Sequence, residues 1–293
     1  MSEHEEDCAT SSAALAESRR VLTVEVTVAA GDPDHAPELL AQRSGLSRLR
    51  IKDAMTKGAV WLARGGRKPE RLRRATTPLK PGDRLALYYD SAVLALDPPR
   101  ATLVTDARRY SVWNKPAGLL VEGSRFGDHA TLATQVATHF TPRREVYLVH
   151  RLDLEASGLI LVAHSRSAAA KLSALFQARS VDKRYRVEVL GDLRPRGGKG
   201  RIDLPLDGKA AVTEYDVDDF REEDNRSVVH VRMLSGRYHQ IRRHFEAIGH
   251  PVIGDPRYGR GNKDPGGLRL AAVGIAFIDP WSNRPVRLGD LRE

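Results

Sequence analysis

Residues 147–158 read Tyr-Leu-Val-His-Arg-Leu-Asp-Leu-Glu-Ala-Ser-Gly. The pattern predicts an apolar strand that runs into His150-Arg151-Leu152-Asp153, turns at Ser157-Gly158 and continues as a second strand, Leu159 to Ala163. A carboxylate at the mouth of a buried strand is costly unless a charged group meets it. Asp153 is therefore either a paired structural acid or a working one.

The sequence on either side sets the fold class. Upstream, Arg109 to Trp113 is strand-like and enters a turn, Asn114 to Val121, shaped by Pro116 and Gly118. Downstream, Ala168, Leu172, Leu175 and Phe176 fall on one face of a helix expected from about Ser167 to Ala178. Lys183 to Val189 alternates, which puts Tyr185 on the side of Val187 and Val189. Val228 to Met233 reads as a further strand. A helix follows in which Ile241, Phe245 and Ile248 pack inward. Strands outnumber helices and most connections look antiparallel, which indicates an α+β class.

The first ninety residues have a different character. Leu22, Val24, Val26 and Val28 alternate with less apolar neighbours, as in a strand with one buried face, and Gly31-Asp32-Pro33 ends it. Pro37 opens a short helix that Gly45 closes. Ser47 and Gly58 bracket a second helix, with Ile51, Ala54 and Met55 on one side and Arg48 and Lys52 on another. Val60 to Leu62, a long basic loop, a Lys80–Asp83 turn and the strand Arg84–Asp90 complete a small α/β unit. Between Arg43 and Arg84 stand thirteen Lys/Arg against three acids, a surplus of ten, whereas the 293-residue chain as a whole carries +9. A concentrated surplus of this kind favours a phosphate-neutralising surface over a merely solvated face.

With 41% hydrophobic and 29% charged residues, the chain has material for a large domain and a small one. A single cysteine, Cys8, excludes an internal disulfide framework and a cysteine metal cage, and suggests a reducing compartment, the cytoplasm. No apolar run approaches the roughly 18 residues of a membrane span. Residues 1–19, acidic and Ser/Ala-rich, are expected to be a disordered leader. His239 and His244 are five apart and do not share a helix face as a metal pair would. The glycines of Arg260–Gly267 lack the flanking strand and helix of a dinucleotide loop, so no nucleotide cofactor is expected.

Four blocks, NKPAGLLV (114–121), HRLDLEASGLILVA (150–163), KRYRVEVLG (183–191) and GRYHQIRRHFEAIGHPVIGDPRYG (236–259), resemble in order and spacing the RluA-type pseudouridine synthases. The resemblance spans about residues 109–279. It implies the pseudouridine synthase fold, a mainly antiparallel mixed sheet with flanking helices, and isomerisation of uridine in structured RNA without metal or cofactor. It assigns Asp153 as nucleophile, Arg242 as its counterion and Tyr185 as an aromatic packed on the base whose hydroxyl assists the carbon-5 proton. His150 and Arg151 are implied to support RNA around a flipped base. Lys115 and Pro116 are implied to shape the pocket, with an ordinary turn lysine equally open, and Asp255 reads as structural. Ala156, Glu122 and Ala271 depart from residues usual in the family, which bears on the target site.

Residues 34–90 resemble the small RNA-binding module of the S-four type, which implies RNA contact through Arg48 and Lys52. The expected organisation is an RNA-binding domain over 20–92, a linker over 93–108 and a catalytic domain over 109–293. The expected protein is a monomer acting on large-subunit ribosomal RNA, or alternatively on tRNA. A non-catalytic ribosome-assembly factor is the rival from another class.

Overall fold

The computed structural model describes residues 19–292. All but Arg19 of the expected leader lies outside them, and Arg19 pairs with Asp90 at 2.5 Å. The chain divides into two compact units. One runs to Asp97 and takes in Gly123–Ala130; the other comprises Pro98–Glu122 and everything from Thr131.

In the first unit, strand β1 (Val21–Thr27) is followed by helices α1 (Ala36–Ser44) and α2 (Arg48–Thr56), short strands β2 (Val60–Ala63) and β3 (Glu70–Arg71), strand β4 (Arg84–Asp90) and a turn of helix, α3 (Ser91–Leu94). The sheet order is β1-β4-β2-β3, antiparallel throughout. The alternation in β1 turns Leu22, Val24 and Val26 inward. Gly45 closes α1 at φ 68°, where a side chain would be strained, and Ser47 caps α2 by accepting the Arg50 amide. Leu39, Leu40, Ile51 and Met55 pack on Leu85 and Leu87 to form the core. The polar face of α2, including Arg48 and Lys52, stays exposed.

The second unit begins with β5 (Thr102–Asp106) and β6 (Tyr110–Lys115), then α4 (Leu132–His139), β7 (Tyr147–Leu148), β8 (Ser157–Ala163) and α5 (Arg166–Gln177). There follow β9 (Asp182–Leu190), β10 (Lys199–Asp203), β11 (Val212–Arg221), β12 (Arg226–Met233), α6 (Gln240–Ala247), β13 (Leu270–Ile278) and β14 (Pro285–Gly289). The main sheet runs β10-β11-β12-β9-β13-β8-β6-β5, with only β13 and β8 parallel.

Residues expected to form a linker are therefore partly sheet. Thr102 pairs with Asn114 and Leu103 with Trp113, and Leu103 packs on the core. Its alternation is only five residues long, which left the strand hidden behind the prolines that precede it.

Strand β8 shows why Gly-Leu-Ile-Leu-Val-Ala carries no polar residue. Ile160 and Val162 face one core with Val187 and Ile241, while Leu161 and Ala163 face another with Leu172 and Phe277. A central strand buried on both faces reads as a continuous apolar run. Helices α4 and α6 cover the first face through Leu132, Val136, Ile241 and Phe245; α5 covers the second through Ala168 and Leu172. Gly158 belongs to this strand and not to a turn. Its φ is +109°, and a Cβ there would stand 2.2 Å from the Ala272 carbonyl oxygen, so the parallel pairing of β8 with β13 requires glycine. No helix among the described residues is long and apolar enough to cross a membrane.

Candidate active site

The expected strand into Asp153 is only two residues long, and residues 149–156 form an irregular loop. His150 explains the early end. Tyr147 pairs with Ala163 and Leu148 with Val162, but the amide of Leu161 donates to His150 Nε2 at 2.8 Å. The imidazole stacks on Phe176 of α5, 4.6 Å between centroids. Burial, reinforced by Lys183, pushes its pKa down to about 3, so the ring is neutral. His150 is thus a structural acceptor and does not line the pocket, contrary to the RNA-contact role expected of it.

The loop is held from the other side by Lys115. Its ammonium, with no exposed surface, donates to the carbonyls of Pro116 (3.0 Å), Leu119 (2.9 Å) and Leu154 (3.2 Å). The Gly118 amide also donates to Leu154 at 2.8 Å. This ties the Asn-Lys-Pro turn to the residue after Asp153, which is why the two blocks occur together. Burial lowers the Lys115 pKa to about 8 against the opposing pull of Asp153 and Glu155. The donors of Lys115 are committed to three carbonyls, and the residue, expected to bind substrate, is not among those that line the pocket.

Leu152 anchors the loop in the core, and Asp153 beside it faces a pocket of about 440 Å³ with its side chain 20% exposed. Arg242, on α6 and 1% exposed, provides the positive charge. Its planar fork grips Asp255 through Nε (2.7 Å) and Nη2 (2.8 Å). Asp255 in turn accepts the amides of Arg257 and Tyr258. The remaining nitrogen, Nη1, reaches Asp153 at 3.1 Å and Glu155 at 3.4 Å. Burial opposes the Arg242 charge, but the bonds to Asp255 and Asp153 more than offset it and raise its pKa. Burial likewise opposes the Asp255 charge, and Arg242 with the two amides reverses the effect, holding its pKa below the ordinary carboxylate value.

His239 completes the ring of contacts. It caps α6 in the left-handed region, φ 51°, with Nε2 3.3 Å from Arg242 Nη1 and 3.7 Å from Asp153. Burial lowers its pKa; Asp153 opposes that effect and Arg242 adds to it. A neutral ring facing an arginine N–H accepts at Nε2, which leaves Nδ1–H to donate to the Tyr258 hydroxyl at 3.1 Å. Tyr238 stacks on the ring at 3.7 Å and is itself exposed on the pocket wall.

Tyr185 lies in the core on the same sheet face rather than on the pocket wall. Burial, and next the Asp153 charge, raise the pKa of its phenol above the ordinary value. Arg151 lines the pocket with a 69% exposed side chain, 3.6 Å from Glu122. Arg48 and Lys52 belong to the first unit, where Arg48 pairs with Glu38 at 3.3 Å. Of the three departures, Ala156 is buried in the core, Glu122 lines the pocket and Ala271 pairs with Ser157 across β13 and β8.

Sequence reasoning missed Glu155, Tyr238 and Arg257 as pocket residues and considered His239 only as a metal ligand. Their signal was their place inside the Asp153 and Arg242 blocks. Among the described residues no group of three or more His, Cys, Asp and Glu side chains is placed to hold a metal ion.

The signature of the RNA pseudouridylate synthase family matches residues 109–247. An "Uncharacterized RNA pseudouridine synthase" of Aquifex aeolicus is 30% identical over 253 residues, 78% of each chain. The "Ribosomal large subunit pseudouridine synthase D" of Zymomonas mobilis is 29% identical over 276 residues, 82% of this chain and 84% of that one. The "Dual-specificity RNA pseudouridine synthase RluA" of Escherichia coli K12 is 36% identical over 163 residues, 50% of this chain and 72% of the other. Among solved structures, "Human RNA Pseudouridylate Synthase Domain Containing 1" superposes with a TM-score of 0.56 at 24% identity, covering 67% of this chain and 86% of its own, which establishes likeness of fold.

Proposed function

The chain belongs to the RNA pseudouridine synthase family and is an isomerase, and from that premise we propose that Asp153 is its nucleophile. The observation that carries this reading is a partly exposed carboxylate on the pocket wall, 3.1 Å from a buried arginine already fixed by a second acid. Isomerisation breaks the bond from uracil N1 to the ribose, turns the base and rejoins it through carbon-5. The anionic form of Asp153 is needed whether it adds to the anomeric carbon or to the base. Arg242 sets a fixed positive charge 3.1 Å from the carboxylate.

The pocket has room for a single base but not for a duplex, which supports flipping of the target uridine out of its stack. Arg151, long, cationic and exposed at the rim, suits contact with RNA beside the flipped nucleotide. Tyr185, in the core behind the pocket, is near enough for the Asp153 charge to act on its phenol. Its raised pKa suits a hydrogen-bond donor better than a proton acceptor. The first unit serves as the S-four-type RNA-binding module, through exposed bases that include Arg48 and Lys52.

Large-subunit ribosomal RNA is the proposed substrate, supported by the named activity of the Zymomonas relative that aligns over most of the chain. The dual-specificity relative makes tRNA the second pool to test. The test is tritium release from RNA labelled at uracil carbon-5, with unmodified ribosomal RNA and tRNA offered separately to wild type and Asp153→Ala. Release from ribosomal RNA alone, abolished by the substitution, is expected. Release from tRNA alone would overturn the substrate assignment, and release by Asp153→Ala would overturn the nucleophile.

A further inference from the structure

Arg242 is shared by more carboxylates than the nucleophile alone. Three carboxylates, Asp153, Glu155 and Asp255, meet on Arg242. Lys115, whose ammonium is bonded to carbonyls, also interacts with Asp153 and Glu155, and Arg151 and Arg257 line the same pocket. Each of the three acids has a different set of partners. Asp255 is wholly buried and takes two guanidinium and two backbone N–H groups, so its oxygens are committed. Asp153 takes one guanidinium bond at 3.1 Å. Glu155 takes only the longer 3.4 Å contact with the same nitrogen, among the described residues its single hydrogen-bond donor, and its side chain is 35% exposed on the pocket wall.

We propose that Glu155 is a second catalytic carboxylate, the base that removes the proton from uracil carbon-5 after the base has been rejoined to the ribose. This rests on the reading of Asp153 as nucleophile in the same pocket. Once carbon-5 has bonded to the anomeric carbon it is tetrahedral and still carries its hydrogen. The carbon-5–hydrogen bond breaks, the proton passes to a Glu155 oxygen, and the freed pair forms the double bond from carbon-5 to carbon-6. The displaced pair of the carbon-6–N1 double bond takes a proton from water at N1. Glu155 then returns its proton to water, so the sequence balances as an isomerisation.

Other groups on the wall suit this step less well. Protonating His239 at Nε2 would set a second cation 3.3 Å from Arg242. Glu122 is a mostly exposed rim acid paired with Arg151. Asp153 is occupied or just released by its own covalent step. Glu155, in contrast, faces the pocket with a single long contact to Arg242, which leaves a carboxylate oxygen open to the reacting base.

The experiment compares product formation under single turnover from RNA carrying either hydrogen or deuterium at uracil carbon-5. Glu155→Gln is expected to slow product formation about 100-fold or more, the usual weight of a positioned base, and to show a larger deuterium isotope effect than wild type, because proton removal becomes limiting. Glu155→Asp, which keeps the carboxylate, is expected to recover part of the rate, and Tyr185→Phe to leave the isotope effect unchanged. A Glu155→Gln rate near wild type, or a slow rate with an unchanged isotope effect, would overturn the proposal. Turnover by Asp153→Ala would instead remove the nucleophile assignment, while the isotope effect in Glu155→Gln would still report on the proton step.

Discussion

Two arginine–carboxylate clusters in this molecule have opposite ratios. In the catalytic unit one guanidinium, Arg242, serves three acids and is almost completely buried. In the first unit one acid, Asp128, serves two arginines, Arg71 at 3.1 Å and Arg73 at 2.6 Å, and Arg73 is close to half exposed. The first arrangement gathers three carboxylates on one guanidinium, and two of them, Asp153 and Glu155, face the pocket as the proposed nucleophile and base. The second gathers two arginines on one acid, and their other donors reach the carbonyls of Gly58, Ser124 and Thr56. The two differ most at the arginines, since Arg242 is 1% exposed and little screened by water whereas Arg73 is 45% exposed.

The comparison can be broken most severely at its buried end. Arg242→Met leaves Asp255 without a counterion in a site closed to water, and breaking a buried pair in this way costs about 3–5 kcal/mol. Urea denaturation should show that loss of stability together with loss of activity. The folded-state pKa of Asp255 lies below its unfolded value. Its contribution is therefore present above the ordinary carboxylate pKa and is lost as pH falls through the depressed folded value. Wild type should lose this contribution only in acid, and Arg242→Met should lack it at neutral pH too.

Lys115 gives a second test, with opposite signs for stability and activity. Its folded pKa of about 8 lies below the ordinary 10.5. The unfolded chain thus holds the extra proton between those values, and this residue's contribution to stability rises with pH across that window. Activity should fall across the same range, because the neutral amine has fewer donors for the three carbonyls that fix the Asp153 loop. A pH profile of kcat/KM should show an alkaline limb near 8 in wild type, and Lys115→Met should be slower but lack that limb.

At the exposed end the effects should be smallest. Replacing Arg48 and Lys52 by Gln should weaken RNA binding without changing single-turnover rates at saturating enzyme. The slope of log affinity against log salt should drop by about 1 for each phosphate that is no longer neutralised. A fall in the chemical rate would show that these side chains do more than neutralise phosphate.

Much of this division was legible in the sequence because it rests on local pattern. The alternation of β1, the caps of α2 and the doubly buried run of β8 each announce themselves over a few residues. Arg242 and Asp153 could be paired through family resemblance although 89 positions separate them. What remained hidden depends on side chains satisfying backbone far away. No local pattern says that His150 will take the Leu161 amide and end a strand, or that Lys115 will bind Leu154. Nor does spacing reveal that Asp255 will claim the Arg242 fork and leave a single nitrogen, Nη1, for the nucleophile. The strand at Thr102–Asp106 was missed for a simpler reason, since five alternating residues after two prolines give little period to read.

The most direct measurement of the central claim is carbon-5 tritium release by Asp153→Asn, an isosteric change that removes the charge, with RNA affinity determined on the same preparation. Bound RNA at wild-type affinity with no tritium released is the expected result. Sustained release from the asparagine protein would contradict the assignment of Asp153 as the nucleophile and move the chemistry to another group in the pocket.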